Sequence, residues 1–482
     1  MAPPDLRSRA RDLMREAGFE PEFPPAALAQ ASGAEAPTTA TGDIRDLRAL
    51  YWSSIDNPES RDLDQLEWAE PLDGGRARLR VAIADVDDQV PAGSAIDRHA
   101  ATNTTSVYTG IATFPMIPER LSTDLTSLHE GHDRLAIVLD VVVDPGGDVR
   151  DAAVVRALVC NRARMSYPEV GRWLEGGGPP PPAVAASEEL ARQVRLQAQI
   201  GGWLRARRRE RGALELETIE ARPVSDGQQI TGLELVRKNA ARDLIEDIML
   251  AANSTLAVVC ESRNISWIRR IVRSPARWQR LVTLAAANGE TLPAEPSGPA
   301  LAAFLTRRRA AAPESFTELS LAVVKLIGAG EYAVERAGED LAGHFGLAVD
   351  HYTHATAPNR RYADLTTQRL VKAAVAGGPA PYSDGDLEAI ALQCTRKEDD
   401  ARKVERQLRK LGAAALLAPR VGERFQAIVT GVTSKGVFAR LLSPPAEGRV
   451  VRGEQGLDVG DRIDVRWQAV DPDRGHIDFA VG

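Results

Sequence analysis

The sequence has few cysteines, few aromatic residues and no long apolar run. Its three cysteines, Cys160, Cys260 and Cys394, lie far apart in 482 residues and make no metal-ligand spacing. Such a sparse, odd set argues against a disulfide framework and is typical of a reducing cytosol, so we expect a cytoplasmic protein. The most apolar run, 135–143, is interrupted by Asp140, and the first residues contain no apolar signal core. The sequence therefore predicts neither a membrane span nor a secretory signal.

The sequence also lacks an excess of basic charge, since its net charge is −7. This balance disfavours a protein coated in nucleic acid, but phosphate contacts need only a local basic patch. On residue type alone, the one dense group of basic residues is best interpreted as a solvated charged face. It lies at the end of a predicted helix and consists of Arg205, Arg207, Arg208, Arg209 and Arg211.

Pattern and composition divide the chain into three parts. Residues 1–42 contain one predicted helix, 5–17, followed by an Ala/Pro/Thr-rich linker. Residues 43–418 have strand-like runs first, and helical periods dominate them from about 187 to 418. Strands followed by helices predict an α+β fold class for this part.

Residues 419–482 change character. Short alternating runs separated by Gly, Asp and Pro predict a small β-barrel. Nucleic-acid binding there would depend on a local patch and on exposed aromatics such as Phe438, as in OB-folds. Phe438 could equally belong to the barrel core, because its alternation is compatible with both positions. The predicted strands are 425–430, 437–441, 462–470 and 476–481.

An acidic segment follows the first short apolar run. Asp56, Asp62 and Asp64 lie within nine residues of one another. Three carboxylates that close repel, so folding them together needs a cation, and hard oxygen ligands suit magnesium or manganese rather than zinc. A carboxylate-bound magnesium with open positions can hold a phosphate and activate a water. The segment therefore indicates metal-assisted phosphodiester chemistry.

Two other interpretations of the same segment compete with this one. Asp56, Asp62 and Glu67 fall at positions one, seven and twelve of a calcium-binding loop, but Pro58 occupies position three and Arg61 takes the place of the required glycine. An ordinary solvated turn is the other alternative, since Asp, Asn, Pro and Ser are common turn residues. Taken alone, the segment leaves the turn and the metal site equally open.

Several segments in one collinear order, from about 45 to 410, resemble the RNase II family of exoribonucleases. The acidic segment resembles the family's acidic signature, and the C-terminal part is similar to the OB-fold domain that ends family members. The resemblance implies an RNB-type catalytic domain at 43–418 and an OB-fold RNA-binding domain at 419–482. The segments that carry it are 55–56, 61–64, 81–86, 105–108, 114–118, 121–122, 127–128, 133–136, 165–167, 211–214, 244–246, 354–365 and 404–406.

The resemblance implies a magnesium-dependent 3′→5′ exoribonuclease, with manganese as an alternative ion, that hydrolyses single-stranded RNA processively to 5′-nucleoside monophosphates in RNA decay and processing. It also implies a monomer without an obligate protein partner. Carried over by position, the implied metal contacts are Asp56, Asp62, Asp64 and Gln65, the implied catalytic residues are Asp62, Asp64, Arg360 and Glu405, and the implied RNA contacts are Tyr108, Arg360, Arg361, Tyr362 and Phe438.

The two arginines also have support from local structure. Thr356 could cap a helix with Pro358 in its first turn, which would place Arg360 and Arg361 at the positive end of the helix dipole. Two cations there are unfavourable unless an anion is nearby, so this arrangement predicts a phosphate site. Glu405 is less specific, because an ion pair on its own predicted helix explains it equally well.

The sequence departs from the family pattern at several places. Gln65 stands where the family signature carries a fourth aspartate, and Leu216 stands where a phenylalanine that stacks with Tyr108 is expected. Tyr108 itself could instead be a core aromatic. The stretch before Asp56 is too short for the two cold-shock domains of well-known members, so we expect them to be replaced by a short helical segment. These departures keep open an alternative function, a catalytically weak or inactive RNA-binding relative.

Overall fold

The N-terminal part folds into two helices, α1 (Leu6–Glu16) and α2 (Pro25–Ser32). Helix α1 buries Leu6, Ala10, Leu13 and Met14, which share one helical face. The predicted helix 5–17 is confirmed, whereas α2 lies in the stretch predicted to be a linker. Pro25 occupies the first turn of α2, a position where proline is favoured. The computed structural model describes residues 6–36, 39–40, 42–217, 220–225, 230–236, 238–339, 343–433, 436–471 and 475–482.

The main sheet has the strand order β1-β8-β2-β3-β4-β7, and β8 also pairs with β7. Strand β8 is 18 residues long, and its first part pairs with β7 while its last part runs parallel to β2. Because β8 joins both sides, the sheet curls around a core of small and branched apolar side chains. The strands up to this point are β1 (Arg45–Asp46), β2 (Trp52–Asp56), β3 (Gln65–Pro71), β4 (Ala77–Ala84), β5 (Val107–Tyr108), β6 (Thr113–Phe114), β7 (Asp133–Val143) and β8 (Val149–Ser166).

Helices cover the sheet and continue along the chain to the C-terminal part. Within the described ranges, none combines the length and the apolar character that a membrane crossing requires. The long α12 leads directly towards the barrel. The helices after α2 are α3 (Ala95–Asn103), α4 (Tyr167–Leu174), α5 (Pro182–Ala186), α6 (Glu188–Glu210), α7 (Ala240–Ser262), α8 (Trp278–Ala287), α9 (Gly298–Ala311), α10 (Phe316–Ile327), α11 (Tyr362–Ala376) and α12 (Asp384–Leu417).

Strands also occur in the region 187–418, where the sequence predicts mainly helices. Strand β11 pairs with β12, which lies more than fifty residues later in the chain. A pairing between segments so far apart produces no local periodicity in the sequence, which explains why these strands are not predicted. These strands are β9 (Glu220–Ser225), β10 (Ile230–Val236), β11 (Trp267–Ile271) and β12 (Glu331–Glu335).

The C-terminal part is a closed barrel with the strand order β13-β14-β15-β17-β16. The four predicted strands are confirmed, and β15 was not predicted. Strand β15 directs only Gly448 and Val450 inward, so its apolar signal is weak. A side chain at Gly448 would meet Ile477 and Phe479, which explains the glycine there. The strands are β13 (Arg424–Thr433), β14 (Gly436–Leu441), β15 (Glu447–Arg452), β16 (Arg462–Asp471) and β17 (His476–Val481), and the predicted α+β fold class with a C-terminal OB-type barrel is confirmed.

Helix α1 does not stand apart from the rest of the protein. One apolar cluster joins it to α12 and to the hairpin formed by β5 and β6. The N-terminal helix therefore supports, from behind, the two elements that carry Tyr108 and Glu405. The buried members of this cluster are Leu6, Ala10, Leu13, Met14, Phe19, Val107, Ile111, Phe114, Ala401, Val404, Leu408 and Leu411.

Truncating a side chain in this cluster should loosen the N-terminal helix. Leu13 is 3% exposed, so Leu13→Ala should lower the free energy of unfolding by about 2–5 kcal/mol through lost burial and a residual cavity. Leu28 on α2 is 48% exposed, and Leu28→Ala is the matched control, expected to stay within about 0.5 kcal/mol of the parent. Urea unfolding measures both, and equal effects of the two substitutions would contradict the packing of α1.

Candidate active site

A cavity of about 1060 Å³ lies where the β2–β3 loop, the β5–β6 hairpin, α7 and the turn before α11 meet. Most of the site residues predicted from the sequence line this cavity. Elements far apart in the chain therefore bring the acidic segment and the arginine pair together. The predicted residues among its walls are Asp56, Asp62, Asp64, Gln65, Tyr108, Arg360 and Arg361.

Asp64 is the most buried of the three aspartates of the acidic segment, with 3% of its surface exposed. Its Oδ1 accepts hydrogen bonds from the backbone N of Asn359 at 3.1 Å and from the Asn359 Nδ2 at 2.9 Å. The Nε of Arg360 lies 3.8 Å from Oδ2. Burial nevertheless raises the pKa of Asp64 to about 8, since the charge of Arg360 only partly offsets the lost solvation. A further cation would stabilise the ionised form of this carboxyl.

Asp56 and Asp62 share the same region of the cavity. The Oδ1 of Asp56 accepts hydrogen bonds from the Asn57 backbone N at 2.6 Å and from the Ser60 hydroxyl at 2.8 Å. Burial raises the pKa of Asp56, and the charge of Asp62 adds to this effect. The charge of Asp62 raises the pKa of Asp64 as well. The mutual repulsion expected from the sequence is therefore present in the folded protein.

The donor set of the cavity fits a hard divalent cation. Asp56, Asp62 and Asp64 offer carboxylate oxygens, and Gln65 offers an amide oxygen. Burial raises the pKa values of Asp56 and Asp64, so a nearby cation would favour their ionised forms. In the described ranges, the carboxylate oxygens of the three aspartates do not all lie within 4.8 Å of one another. They are therefore too far apart to surround an ion completely. Magnesium suits such a site, because it keeps several of its waters.

In the part of the chain that the structure describes, another group of three side chains has its potential ligand atoms within 4.8 Å of one another. It consists of Glu261, Glu335 and His351, and these residues are not among those that line the cavity. Arg269 already lies 2.5 Å from Glu335 and supplies positive charge there. This group is therefore separate from the acidic segment.

Tyr108 lies at the end of β5 and faces the cavity. Its side chain is 41% exposed, so the alternative that it is a core aromatic is wrong. Its hydroxyl donates to the Oδ2 of Asp62 at 2.6 Å, and its backbone N donates to the Oε1 of Glu405 at 3.1 Å. Glu405 on α12 is absent from the described cavity walls and reaches the site through this contact with Tyr108.

The turn that carries the arginines differs from the prediction. Helix α11 begins at Tyr362 with Arg361 at its N-cap, so the expected cap at Thr356 is wrong. The reason is Asp364 in the first turn of α11, which is fully buried and accepts hydrogen bonds from the Ala357 backbone N at 2.8 Å and from the Arg361 guanidinium at 2.7 Å. Asp364 thus holds the preceding turn in place from within the helix.

The two arginines consequently play different parts. The Arg361 side chain is tied to Asp364 and is 21% exposed, whereas the Arg360 side chain is 44% exposed and opens on the cavity. Arg360 still lies next to the N-terminus of α11, as predicted. Arg360 is the arginine placed to meet an anion in the cavity, while Arg361 is engaged in the fold.

Two predicted RNA contacts lie elsewhere. Tyr362 is 5% exposed, donates its backbone N to the Thr104 carbonyl at 2.8 Å and is not among the cavity walls. Phe438 is half-buried on β14, opposite Arg449 on β15, and belongs to the barrel rather than to the cavity. The structure thus does not bring either residue to the acidic segment.

The arginine-rich end of α6 is largely neutralised within the protein. Arg205 pairs with Asp243 at 3.1 Å and with Asp247 at 2.6 Å, and Arg208 also pairs with Asp247. Arg207 lies 3.0 Å from Asp148. The patch therefore consists mainly of ion-paired side chains, which agrees with the charged-face interpretation more than with a free phosphate-binding surface.

The cavity also contains residues to which the sequence gave no role. Arg242 on α7 lies 4.5 Å above the ring of Tyr167 and donates to the Asn57 Oδ1 at 2.7 Å. Burial raises the pKa of Tyr167, and the charges of Asp56 and Glu67 add to the effect. Single aromatic and basic residues on helices have no spacing that would have identified them. Leu216 lines the cavity, as its place in the resemblance implies.

Glu67 on β3 is the least expected residue near the site. It is fully buried, and this burial raises its pKa well above the ordinary value, with a further contribution from the charge of Asp56. Since Gln65 already begins β3, no twelve-residue loop extends from Asp56 to Glu67. The calcium-loop interpretation is therefore wrong.

The fold and the site define the class of protein. The chain belongs to the RNB domain family, because the model of the RNB domain matches residues 44–377. The model of the RNase II-type exonuclease C-terminal S1 domain matches residues 423–482. These two matches confirm the resemblance seen in the sequence, including the barrel at the C-terminal end.

Particular relatives are named ribonuclease R. The chain is 31% identical over 486 residues to ribonuclease R of Vibrio cholerae, covering 93% of this chain and 58% of that protein. It is 30% identical over 436 residues to ribonuclease R 1 of Lactococcus lactis, covering 87% and 52%. The chain thus spans little more than half the length of these curated relatives.

A solved structure supports the fold independently. RNase R of Mycoplasma genitalium, in complex with ribose-methylated single-stranded RNA, matches with a TM-score of 0.89 at 23% identity. The match covers 99% of this chain and 78% of the other. The fold of the two parts is therefore similar to that of this RNase R.

The buried ion pair behind Arg360 gives a stability prediction. Asp364→Ala would leave Arg361 without its carboxylate partner, so it should lower the free energy of unfolding by about 3–5 kcal/mol. The control is Asp12→Ala on α1, where Asp12 lies 3.5 Å from Arg15 in an exposed pair and removal should cost less than about 1 kcal/mol. Urea unfolding of the two variants decides, and equal costs would contradict the role given to Asp364.

Proposed function

We propose that the protein is a magnesium-dependent exoribonuclease that hydrolyses single-stranded RNA processively from its 3′ end to 5′-nucleoside monophosphates, and that it acts in RNA decay and processing in the cytoplasm. The observation that carries this proposal is the meeting of Asp64 and Arg360, 3.8 Å apart, in one cavity with Asp56 and Asp62. Such a pairing of acidic and basic groups suits a phosphodiester substrate. The arginine would bind the negatively charged phosphate, and the aspartates would hold the cation.

Asp56, Asp62, Asp64 and Gln65 would hold magnesium, with manganese as the alternative ion. A bound magnesium lowers the pKa of a coordinated water and neutralises negative charge on a phosphate oxygen. Asn359 fixes the orientation of the Asp64 carboxylate through two hydrogen bonds, which would hold one ligand ready for the ion. The Tyr108 hydroxyl fixes the orientation of the Asp62 carboxylate by donating a hydrogen bond to it.

Arg360 would bind the phosphate that is cleaved. Its guanidinium can make two parallel hydrogen bonds to phosphate oxygens, and these bonds strengthen as charge develops on the oxygens. The ion pair between Arg361 and Asp364 fixes the turn from which Arg360 extends. Glu405 would act from behind, by holding the backbone of Tyr108 in place.

Single-stranded RNA is the substrate that this cavity suits best. Tyr108 has an exposed face on which an unpaired base can stack, and a paired base in a helix offers no free face. Within the cavity, Leu216 and Tyr167 add apolar surface. RNase R of Mycoplasma genitalium is solved with single-stranded RNA and also with double-stranded RNA, so the choice of single-stranded RNA depends on the exposed ring of Tyr108.

The proposed cellular setting is based on the cysteines rather than on the cavity. The cysteines Cys160, Cys260 and Cys394 are free and buried, as expected in a reducing cytoplasm. We propose that the protein acts as a monomer on RNA without an obligate protein partner.

A catalytically weak RNA-binding protein is the alternative function. Gln65 favours it, because an amide in the cation-binding set adds an oxygen but no charge. Such a protein would bind RNA in a salt-sensitive manner and release no nucleotide at any metal concentration.

Removing one charge from the acidic cluster separates these two functions. Asp64→Asn keeps the size of the side chain, so it should leave RNA binding nearly unchanged while lowering the cleavage rate by about 100-fold or more. The measurement is shortening of a 5′-labelled single-stranded RNA in magnesium, with EDTA abolishing it. Asp73→Asn, in an exposed turn, is the matched control and should cleave at the parent rate. Cleavage by Asp64→Asn at the parent rate would show that the site is assigned wrongly.

The stacking role of Tyr108 predicts a graded result. Tyr108→Ala should weaken binding of a short single-stranded RNA by about 1–3 kcal/mol, whereas Tyr108→Phe keeps the ring and should bind nearly as the parent does. Fluorescence anisotropy in EDTA measures binding without cleavage. If the two variants lose affinity equally, the hydroxyl contact with Asp62 matters more than the ring, and stacking is excluded.

A further inference from the structure

Three buried oxygen atoms lie together beside the acidic cluster. In the described ranges, the Ser53 hydroxyl and both carboxylate oxygens of Glu67 have no hydrogen-bond partner. Ser53 on β2 and Glu67 on β3 stand directly opposite each other in the antiparallel register, and both are 0% exposed. Buried polar groups are normally paired, and a buried carboxylate is paired or bound to a cation.

The position of Glu67 relates it to the cation-binding residues. Gln65 stands two positions earlier on β3, and residues two apart in a strand point to the same face. Gln65 lines the cavity, and so does Asp56, which ends the same strand β2 that places Ser53 opposite Glu67. The strand face that presents the uncharged amide of Gln65 to the cavity thus carries a buried carboxyl group without a hydrogen-bond partner two positions further along.

We propose that Glu67 provides a fourth carboxyl group to the cation site, acting through one of the waters bound to the ion, in place of the carboxyl group that Gln65 does not supply. This inference rests on the proposed function, because it concerns the same ion. A carboxylate behind the direct ligands commonly fixes their orientation and affinity, and losing one lowers metal affinity by about 10–100-fold. Ser53 would contribute a hydroxyl oxygen to the same water network.

The test measures metal binding without RNA and without turnover. Manganese is titrated into the full chain, and the free ion is followed by electron paramagnetic resonance. Glu67→Gln keeps the shape of the side chain and should weaken manganese binding by about 10–100-fold. Gln65→Asp added to Glu67→Gln should restore most of the affinity, since it returns a carboxylate to the same strand face.

The matched control is Glu70→Gln on the same strand, where Glu70 lies 3.0 Å from Arg78 in an exposed pair. This variant should bind manganese as the parent does. A second substitution, Glu67→Leu, separates a role in folding from a role at the ion, because it removes the unpaired charge and the polar atoms together. It should fold at least as stably as the parent and show the same loss of manganese affinity.

The outcomes distinguish this inference from the proposed function. If Glu67→Gln and Glu67→Leu bind manganese as tightly as the parent, Glu67 is only a buried acid solvated by water, and the inference is overturned while the RNA assay of Asp64→Asn remains unaffected. Failure of both variants to fold would also overturn it, since Glu67 would then act in the fold. If Glu67→Gln weakens manganese binding but the parent cleaves no RNA, the ion site stands and the proposed function fails.

Discussion

The hydrogen bonds between Asp64 and Asn359 are the constraint on which the site depends. They join residues 295 positions apart in the chain and bring the β2–β3 loop against the turn before α11. Helix α11 reinforces this contact, because the Gln368 side chain donates to the Ala84 carbonyl at 2.7 Å. The acidic segment and Arg360 thus line one cavity, and burial there raises the pKa of Asp64 to about 8.

The surrounding structure stabilises the site against the free-energy cost of burying Asp64 next to other carboxylates. Asp364 orders the turn by accepting hydrogen bonds from the Ala357 backbone N–H and the Arg361 guanidinium, which leaves Arg360 exposed to the cavity. The N-terminal helix packs behind the hairpin of Tyr108, and Glu405 on α12 holds the backbone of the same residue. The apolar clusters thus fix the polar residues, whose own repulsion would otherwise separate them.

The sequence predicts the chemistry of the site better than its geometry. The acidic segment, Arg360 and Tyr108 could be identified because their residue types and collinear order carry information. The start of α11 could not, since it depends on Asp364, whose contacts reach back to the preceding turn. The sequence suggests Glu67 only as a calcium-loop ligand, because a single glutamate next to apolar residues does not indicate that a strand buries it.

The barrel and the short strands also show that local sequence patterns miss elements whose pairing depends on distant segments. Four barrel strands alternate clearly and were predicted, whereas β15 (Glu447–Arg452) fills its inward positions with a glycine and a valine. The pairing of β11 with β12 needs contacts that no local pattern contains. The two family models match residues 44–377 and 423–482, which agrees with the predicted order of an α+β part followed by an OB-type barrel.

The most direct test compares linear and circular RNA of the same sequence in magnesium. If the cavity of Asp64 and Arg360 cleaves from a 3′ end, the linear RNA should be converted to 5′-nucleoside monophosphates, identified by mass spectrometry, and the circle should remain intact. Oligonucleotide fragments from the circle would contradict an exonuclease, and the absence of any product from the linear RNA would contradict a nuclease altogether.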